Sequence, residues 1–317
     1  MRCLITGVAG FIGSHLAERL LADGHEVVGL DTFTPFYARE IKERNLENAR
    51  SWHTFTLYEV DLLKAHLEPL LAGVGWVFHQ AAQAGVRTSW DDIESYISAN
   101  VLATRRLLDA VTKVGQISRF IYASSSSVYG QANALPLTEE TLPRPFSPYG
   151  VTKLAAEHLC MAYQSNFSVP AVALRYFTVY GPRQRPDMAF YRFCEAILKR
   201  QPVPLYGDGC QTRDFTYVSD IVEANLSAAT AEGVIGRALN IAGGAHVSLN
   251  QALALLQEIG GRTAIIHPGQ KHYGDVQDTR ADTHLAEQLL GYRPGVTLME
   301  GLTRQFEYML SIHAIHA

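Results

Sequence analysis

Thr6-Gly7-Val8-Ala9-Gly10-Phe11-Ile12-Gly13 is the stretch whose reading decides the fold. Before it lies an apolar run, Arg2–Thr6, that reads as a strand; after it, residues 11–23 carry a helical pattern ending near Gly24. A strand that turns on glycines into a helix leaves the first helical N–H groups free, with the positive end of the helix behind them. A side chain in that turn would block the bend, the approach of backbone to a pyrophosphate and the contact of helix with strand. Gly7, Gly10 and Gly13, with the N–H groups of Phe11 and Ile12, are the expected pyrophosphate cradle.

Outward from this turn, strand-like runs recur at residues 26–30, 54–60, 76–79, 120–123 and 171–175, with helical patterns at 93–114 and 149–167. Alternation of this kind predicts an α/β fold: a Rossmann-type, doubly wound parallel sheet. Residues 1–178 are expected to form the dinucleotide-binding domain. Residues 179–317 are expected to form mainly a smaller C-terminal α/β lobe for the substrate, with proline and glycine clustered at 181–186 and 202–209. The segment 236–244 is expected to return to the large sheet.

Asp31 ends the second strand, eighteen residues beyond Gly13. A carboxylate there accepts hydrogen bonds from the adenosine ribose and repels a 2′-phosphate, which favours NAD over NADP. Asp61, followed by Leu62 after the third strand, is similarly placed to meet the adenine. After the fourth strand, Ala81 and Ala82 are small enough to let backbone approach the dinucleotide, and Arg87 is positioned to touch phosphate or sugar. Asn100, within a helix, is expected to hold a structural water.

Tyr149 and Lys153 stand four residues apart at the start of a helix and so share one face. A free phenol has a pKa near ~10; a neighbouring ammonium and a positive nicotinamide ring both favour phenolate and prepare it to act as a base.

Composition narrows the classes further. The 317 residues are 47% hydrophobic and 18% charged, which suits a globular interior, and the net charge of −4 offers no basic field for nucleic acid or anionic membrane. No run approaches the ~20 apolar residues of a membrane span, and the chain opens directly into the glycine turn rather than a leader, so a soluble protein is expected. Cys3, Cys160, Cys194 and Cys210 are scattered, with no C-x-x-C and no H-E-x-x-H, so no metal site is expected and reduced thiols in a cytoplasmic protein are the simplest reading.

The G-x-x-G-x-x-G spacing, the Tyr149–Lys153 pair and Ala123-Ser124-Ser125-Ser126-Ser127-Val128-Tyr129-Gly130 together resemble the extended short-chain dehydrogenase/reductase family, the NAD-dependent epimerases and dehydratases. Leu174-Arg175-Tyr176-Phe177-Thr178-Val179-Tyr180-Gly181-Pro182-Arg183-Gln184-Arg185-Pro186-Asp187-Met188 is most similar to the UDP-glucuronate 4-epimerases within it. The likeness runs from Arg2 to about Phe306. It implies NAD as cofactor and a homodimer joined through the helices near 93–114 and 149–167. Ser125 would assist proton transfer, Lys153 would hold the nicotinamide ribose, and Tyr176 would lie on the cofactor side.

On the substrate side, the resemblance gives Arg185 the sugar carboxylate, with Ser126, Ser127 and Thr178 assisting and Met188 and Arg192 nearby. Arg213 would neutralise the diphosphate and Asp275 would return to the nucleotide ribose. Arg183 reads as structural or solvent-facing. Related dehydratases carry T-D-E where this chain has Ser125-Ser126-Ser127, and related decarboxylases keep an acid there too. Without those carboxylates, elimination and decarboxylation lose their general acid/base, whereas 4-epimerisation survives. The expected activity is conversion of UDP-glucuronate to UDP-galacturonate through a 4-keto sugar. A neutral UDP-sugar epimerase, a dehydratase or decarboxylase, and a non-catalytic NAD-binding protein are the alternatives.

Overall fold

The computed structural model describes residues 1–131, 134–270 and 273–314. Its first part runs β1 (Arg2–Thr6), α1 (Phe11–Ala22), β2 (Glu26–Asp31), α2 (Arg39–Asn45), α3 (Glu47–Arg50), β3 (Phe55–Glu59), β4 (Trp76–His79), α4 (Ile93–Tyr96), α5 (Ala103–Val114), β5 (Arg119–Ser125), α6 (Pro148–Phe167) and β6 (Ala171–Tyr176). There follow β7 (Thr178–Tyr180), α7 (Ala189–Lys199), β8 (Val203–Tyr206), β9 (Thr212–Tyr217), α8 (Val218–Thr230), β10 (Ala238–Ile241), β11 (Ala245–Ser248), α9 (Leu249–Gly260), β12 (Ile266–Gly269), α10 (His284–Leu290) and α11 (Leu298–Ala314).

Seven strands form one sheet of order β10-β6-β5-β4-β1-β2-β3, parallel throughout. Its inner strands β1, β4, β5 and β6 are buried on both faces because helices cover both. Cys3 and Ile5 belong to one apolar cluster and Leu4 to the other, the period-two alternation of a strand buried on both sides. The chain leaves β1 toward β2 on one side and toward β4 on the other. Loops beyond the carboxyl ends of β1 and β4 therefore diverge, and a crevice opens between them.

Strand positions agree with the sequence pattern to within about two residues, and the helix expected over 93–114 is present, though not as one uniform α-helix. A π-helical turn at Ile97–Leu102 separates α4 from α5, a wide turn of the sort found beside functional sites. The chain also returns to the large sheet twice after β6: α8 packs on α1 and β5, and β10 pairs with β6. The remaining strands make a three-stranded sheet, β11-β9-β7, and a pair, β12-β8. Among the described residues no helix is long and apolar enough to cross a membrane.

Candidate active site

The turn after β1 is built to leave a backbone surface bare. Gly7 adopts φ +70°, and a Cβ there would lie 2.8 Å from Ala81 Cα; a Cβ on Gly13 would lie 2.2 Å from the Gly7 carbonyl oxygen. α1 begins at Gly10 with no side-chain cap, so its end keeps donors for an anion. Asp31 accepts the Ala9 N–H at 3.0 Å and the Phe33 N–H at 2.8 Å. Burial raises its pKa, while those N–H groups and Lys42 favour the charged form. Each carboxylate oxygen retains a lone pair for a ribose hydroxyl. Asp61 accepts the Leu63 N–H at 2.9 Å and Leu62 is buried beside it.

The start of the segment after β4 is fixed by a relay. Thr104 donates to the Asn100 carbonyl (2.6 Å), so its oxygen accepts from His79 Nε2 (2.8 Å); His79 Nδ1 then accepts from Thr6 (2.7 Å), and Thr6 accepts the Ala81 N–H (3.1 Å). Burial pushes the His79 pKa down to about 3, which keeps the ring neutral. A cradle that admits no Cβ, an uncapped helix end and a carboxylate with open acceptors fit an NAD dinucleotide.

At the carboxyl end of β5, Ser125 accepts the Ser127 N–H at 3.1 Å. That bond opens a 3₁₀ turn over Ser126–Val128, leaves Ser126 and Ser127 partly exposed, and frees the Ser125 hydroxyl to bond Tyr149. Ser147 caps α6 with Pro148 in its first turn, so Tyr149 enters on the first helical turn. Its ring packs edge-on against Tyr96 with centroids 6.2 Å apart. Burial raises the Tyr149 pKa, opposed by the Ser125 hydrogen bond and the Arg185 charge.

Lys153 follows Tyr149 one turn later on α6. Its ammonium lies 4.6 Å over the Tyr122 ring, and burial lowers its pKa to about 8 against the pull of Cys160 and Glu157. The charge of Arg185 favours the Tyr149 phenolate as well.

Arg185 is 21% exposed and holds Asp187 through two hydrogen bonds, Nε to Oδ1 at 3.0 Å and Nη2 to Oδ2 at 2.9 Å. Met188 caps α7 next to it, and Thr178 starts β7 opposite Phe215. Arg183 pairs with Glu18 at 2.6 Å, a structural latch to α1. Arg87 meets Asp275 at 3.1 Å and lies 4.1 Å over the Tyr206 ring, while Arg192 donates to the Tyr206 hydroxyl at 2.9 Å. Arg213 donates to the carbonyls of Thr212 (2.7 Å), Val276 (2.8 Å) and Gln277 (3.2 Å); its Nε–H and one Nη2–H remain for a further acceptor. A cavity of about 160 Å³ opens here, lined by Tyr206, Asp208, Gln211 and Asp275 among others.

Two further side chains are fixed by protein partners. Tyr176 is buried and its hydroxyl is held by Asn225 and Gln80 at 2.8–3.1 Å, so only its ring is left to meet a cofactor. Asn100 bonds protein on both sides: its oxygen accepts the Gln83 N–H (2.7 Å), and its amide donates to the Gln83 carbonyl (3.0 Å) and Thr152 (2.9 Å). In this way the π-helical turn fixes the segment after β4 against the helix of Tyr149.

Sequence reasoning missed three contributors. Tyr96 and Asp187 carry no local signal. Glu157 does: it repeats the four-residue step from Tyr149 through Lys153, and it is paired at 2.6 Å with buried Arg175 and at 2.5 Å with Ser124. That pair ties α6 to β5 and β6 beneath the site.

A phenol, a hydroxyl and an ammonium at the mouth of a dinucleotide cradle can move a proton but not a hydride. They are the protein half of a nicotinamide-dependent enzyme with the short-chain dehydrogenase/reductase fold. Residues 3–242 match the NAD dependent epimerase/dehydratase family, and the chain belongs to it. It is 44% identical to the protein called uncharacterized UDP-glucose epimerase YtcB of Bacillus subtilis (strain 168), over 99% of each chain. It is 35% identical to the UDP-glucuronate 4-epimerase of Thermodesulfobacterium geofontis (strain OPF15), over 95% of this chain and 94% of that one. The crystal structure of UDP-glucuronic acid 4-epimerase from Bacillus cereus with UDP-glucuronic acid and NAD superposes with a TM-score of 0.96 at 41% identity, covering 98% of this chain and 100% of the other.

Proposed function

We propose that this protein is an NAD-dependent UDP-sugar 4-epimerase whose substrate is UDP-glucuronate and whose product is UDP-galacturonate. The observation that carries this reading is the place of Arg185: its guanidinium lies 5.8 Å from the Phe36 ring, Phe36 borders Gly85, and the Gly85 carbonyl accepts from Tyr96, whose ring packs on Tyr149. A base for the C4 hydroxyl and a fork for a carboxylate two carbons away thus share one pocket. Both the solved neighbour and the Thermodesulfobacterium relative are named for glucuronate.

Gly7, Gly10, Phe11, Ile12 and Gly13 hold the pyrophosphate of NAD, Asp31 its ribose, Asp61 and Leu62 its adenine, and Ala81, Ala82, Lys153 and Tyr176 its nicotinamide half. When bound, NAD supplies the acceptor for the hydride on C4 and the donor for its return. Tyr149 removes the C4 hydroxyl proton with Ser125 and gives it back once the 4-keto sugar has turned over. Arg213, Arg87 and Arg192 anchor the diphosphate and Asp275 the nucleotide ribose, so the sugar pivots while its tether stays. Oxidation at C4 makes the glucuronosyl group a β-keto acid, which loses CO₂ when the C5–C6 bond aligns with the carbonyl π system. Arg185, with Ser126, Ser127 and Thr178, holds the carboxylate away from that alignment; Met188 closes the same wall.

The protein works as a homodimer joined through α4, α5, the π-helical turn between them and α6, where Ile97, Leu102 and Val151 stand 42%, 45% and 53% exposed. It works in the cytoplasm, where its four free thiols stay reduced.

Proton NMR of products from UDP-glucuronate, UDP-glucose and UDP-N-acetylglucosamine tests the reading. The expected result is galacturonate formed at unchanged mass, with turnover of UDP-glucuronate lost in Arg185→Ala. Turnover of UDP-glucose alone would favour the neutral-sugar reading, which the name of the Bacillus subtilis relative also suggests. Loss of water or CO₂ by mass spectrometry would make the enzyme a dehydratase or decarboxylase.

A further inference from the structure

The guanidinium assigned to the substrate's carboxylate already holds one. Arg185 donates from Nε and Nη2 to the two oxygens of Asp187 at 3.0 and 2.9 Å, the forked geometry that suits any carboxylate. Within the pair the acid stands on the solvent side, at 42% exposure against 21% for the arginine. The guanidinium lies 5.8 Å from the centre of the Phe36 ring. Phe36 in turn borders Gly85, whose carbonyl accepts from Tyr96 at 2.8 Å, and Tyr96 packs on Tyr149. The inner side of the pair is therefore continuous with the wall of the catalytic pocket.

The backbone beneath the pair is held at both ends. The His15 ring meets the Pro182 carbonyl at 2.9 Å, and Arg183 bonds Glu18 at 2.6 Å. Buried Gln184 donates to the Val179 carbonyl (3.1 Å) and accepts from Tyr191 N–H (3.0 Å) and Gln305 (2.8 Å). Beyond the pair, Met188 N–H donates to the Arg185 carbonyl at 3.1 Å. A loop held this way can exchange the partners of its side chains without moving its chain.

We propose that Asp187 is a specificity-determining stand-in for the substrate carboxylate: it neutralises Arg185 in the free enzyme, a uronate displaces it, and a sugar without that carboxylate leaves the pair closed. The proposal rests on the uronate reading above. A half-buried guanidinium with no partner is costly, and Asp187 removes that cost between turnovers. The same bond competes with the substrate, so Asp187 weakens uronate binding while leaving neutral-sugar binding untouched. Because it is the exposed member, it is also the one that water can take over on release.

Isothermal titration of the NAD-loaded enzyme, in a Tyr149→Phe background that stops turnover, tests this with UDP-glucuronate and UDP-glucose. Adding Asp187→Asn is expected to tighten UDP-glucuronate about two- to fivefold, the worth of a partly exposed ion pair, and to leave UDP-glucose unchanged. Asp187→Glu, which keeps the charge, is expected to fall back toward the parent. Unchanged UDP-glucuronate affinity in Asp187→Asn would overturn the proposal. Weaker affinity for it alone would also overturn it and make Asp187 an orienting partner of bound Arg185. Equal UDP-glucose affinity reports that the variant is folded. A parent with no preference for UDP-glucuronate over UDP-glucose would remove the uronate reading and this inference together; a parent that has the preference, with an indifferent Asp187→Asn, removes the inference alone.

Discussion

Lys153 is 3% exposed, with its ammonium over the Tyr122 ring and its neighbour Glu157 already committed to Arg175. Burial brings its pKa from 10.5 to about 8. Between those two values the unfolded chain binds more protons than the folded one, so stability rises with pH across that window and the burial penalty is complete below it. The shift corresponds to roughly 3 kcal/mol. Without added nucleotide, Lys153→Met is therefore expected to be more stable than the parent at pH 7 by about 1–3 kcal/mol. The difference should shrink by pH 10, and turnover should fall at least ~10²-fold. Denaturant unfolding at the two pH values, together with steady-state rates, checks this; equal stability at pH 7 would mean that burial does not burden the ammonium. The Y-x-x-x-K spacing made Tyr149 and Lys153 legible in the sequence, because both sit on one helix and one helical face. The influence of the Arg185 charge on Tyr149 was not legible, because the two residues lie on different elements.

At the scale of elements, the site depends on how closely α6 lies on the serine turn. A Cβ at Gly150 would fall 2.5 Å from the Ser127 carbonyl oxygen and 3.2 Å from Pro145 Cβ. Only glycine lets the first turn of α6 sit where Tyr149 meets Ser125. Gly150→Ala is expected to shift that turn and lower kcat by about 10²-fold, with dinucleotide affinity, read by fluorescence titration, close to the parent's. Loss of dinucleotide affinity in equal measure would instead mean a general unfolding of the site. The strands of the large sheet were readable because each is a short apolar run bounded by turn residues. The π-helical turn was not, since residues 97–102 keep a helical pattern and the widening answers to Asn100 holding Gln83 and Thr152. Those contacts lie outside the element.

For the whole molecule, the proposed dimer places the exposed side chains of Ile97, Leu102 and Val151 against a second copy related by two-fold symmetry. Sedimentation velocity is expected to find a dimer for the parent and a monomer for Leu102→Glu; a monomeric parent would end that proposal. What the sequence by itself determined is local: the glycine turn between strand and helix, the carboxylate at the end of β2, the serine run after β5 and the tyrosine–lysine step, each a short stretch whose chemistry depends on its own neighbours. Only the tertiary structure decided that Arg185 rests on Asp187, that Tyr176 turns its hydroxyl to Asn225, and that Arg213 binds the carbonyls of residues 276 and 277. The physical reason is that a guanidinium or a phenol takes whatever partner the fold brings within about 3 Å, and those partners come from elements far apart in the chain.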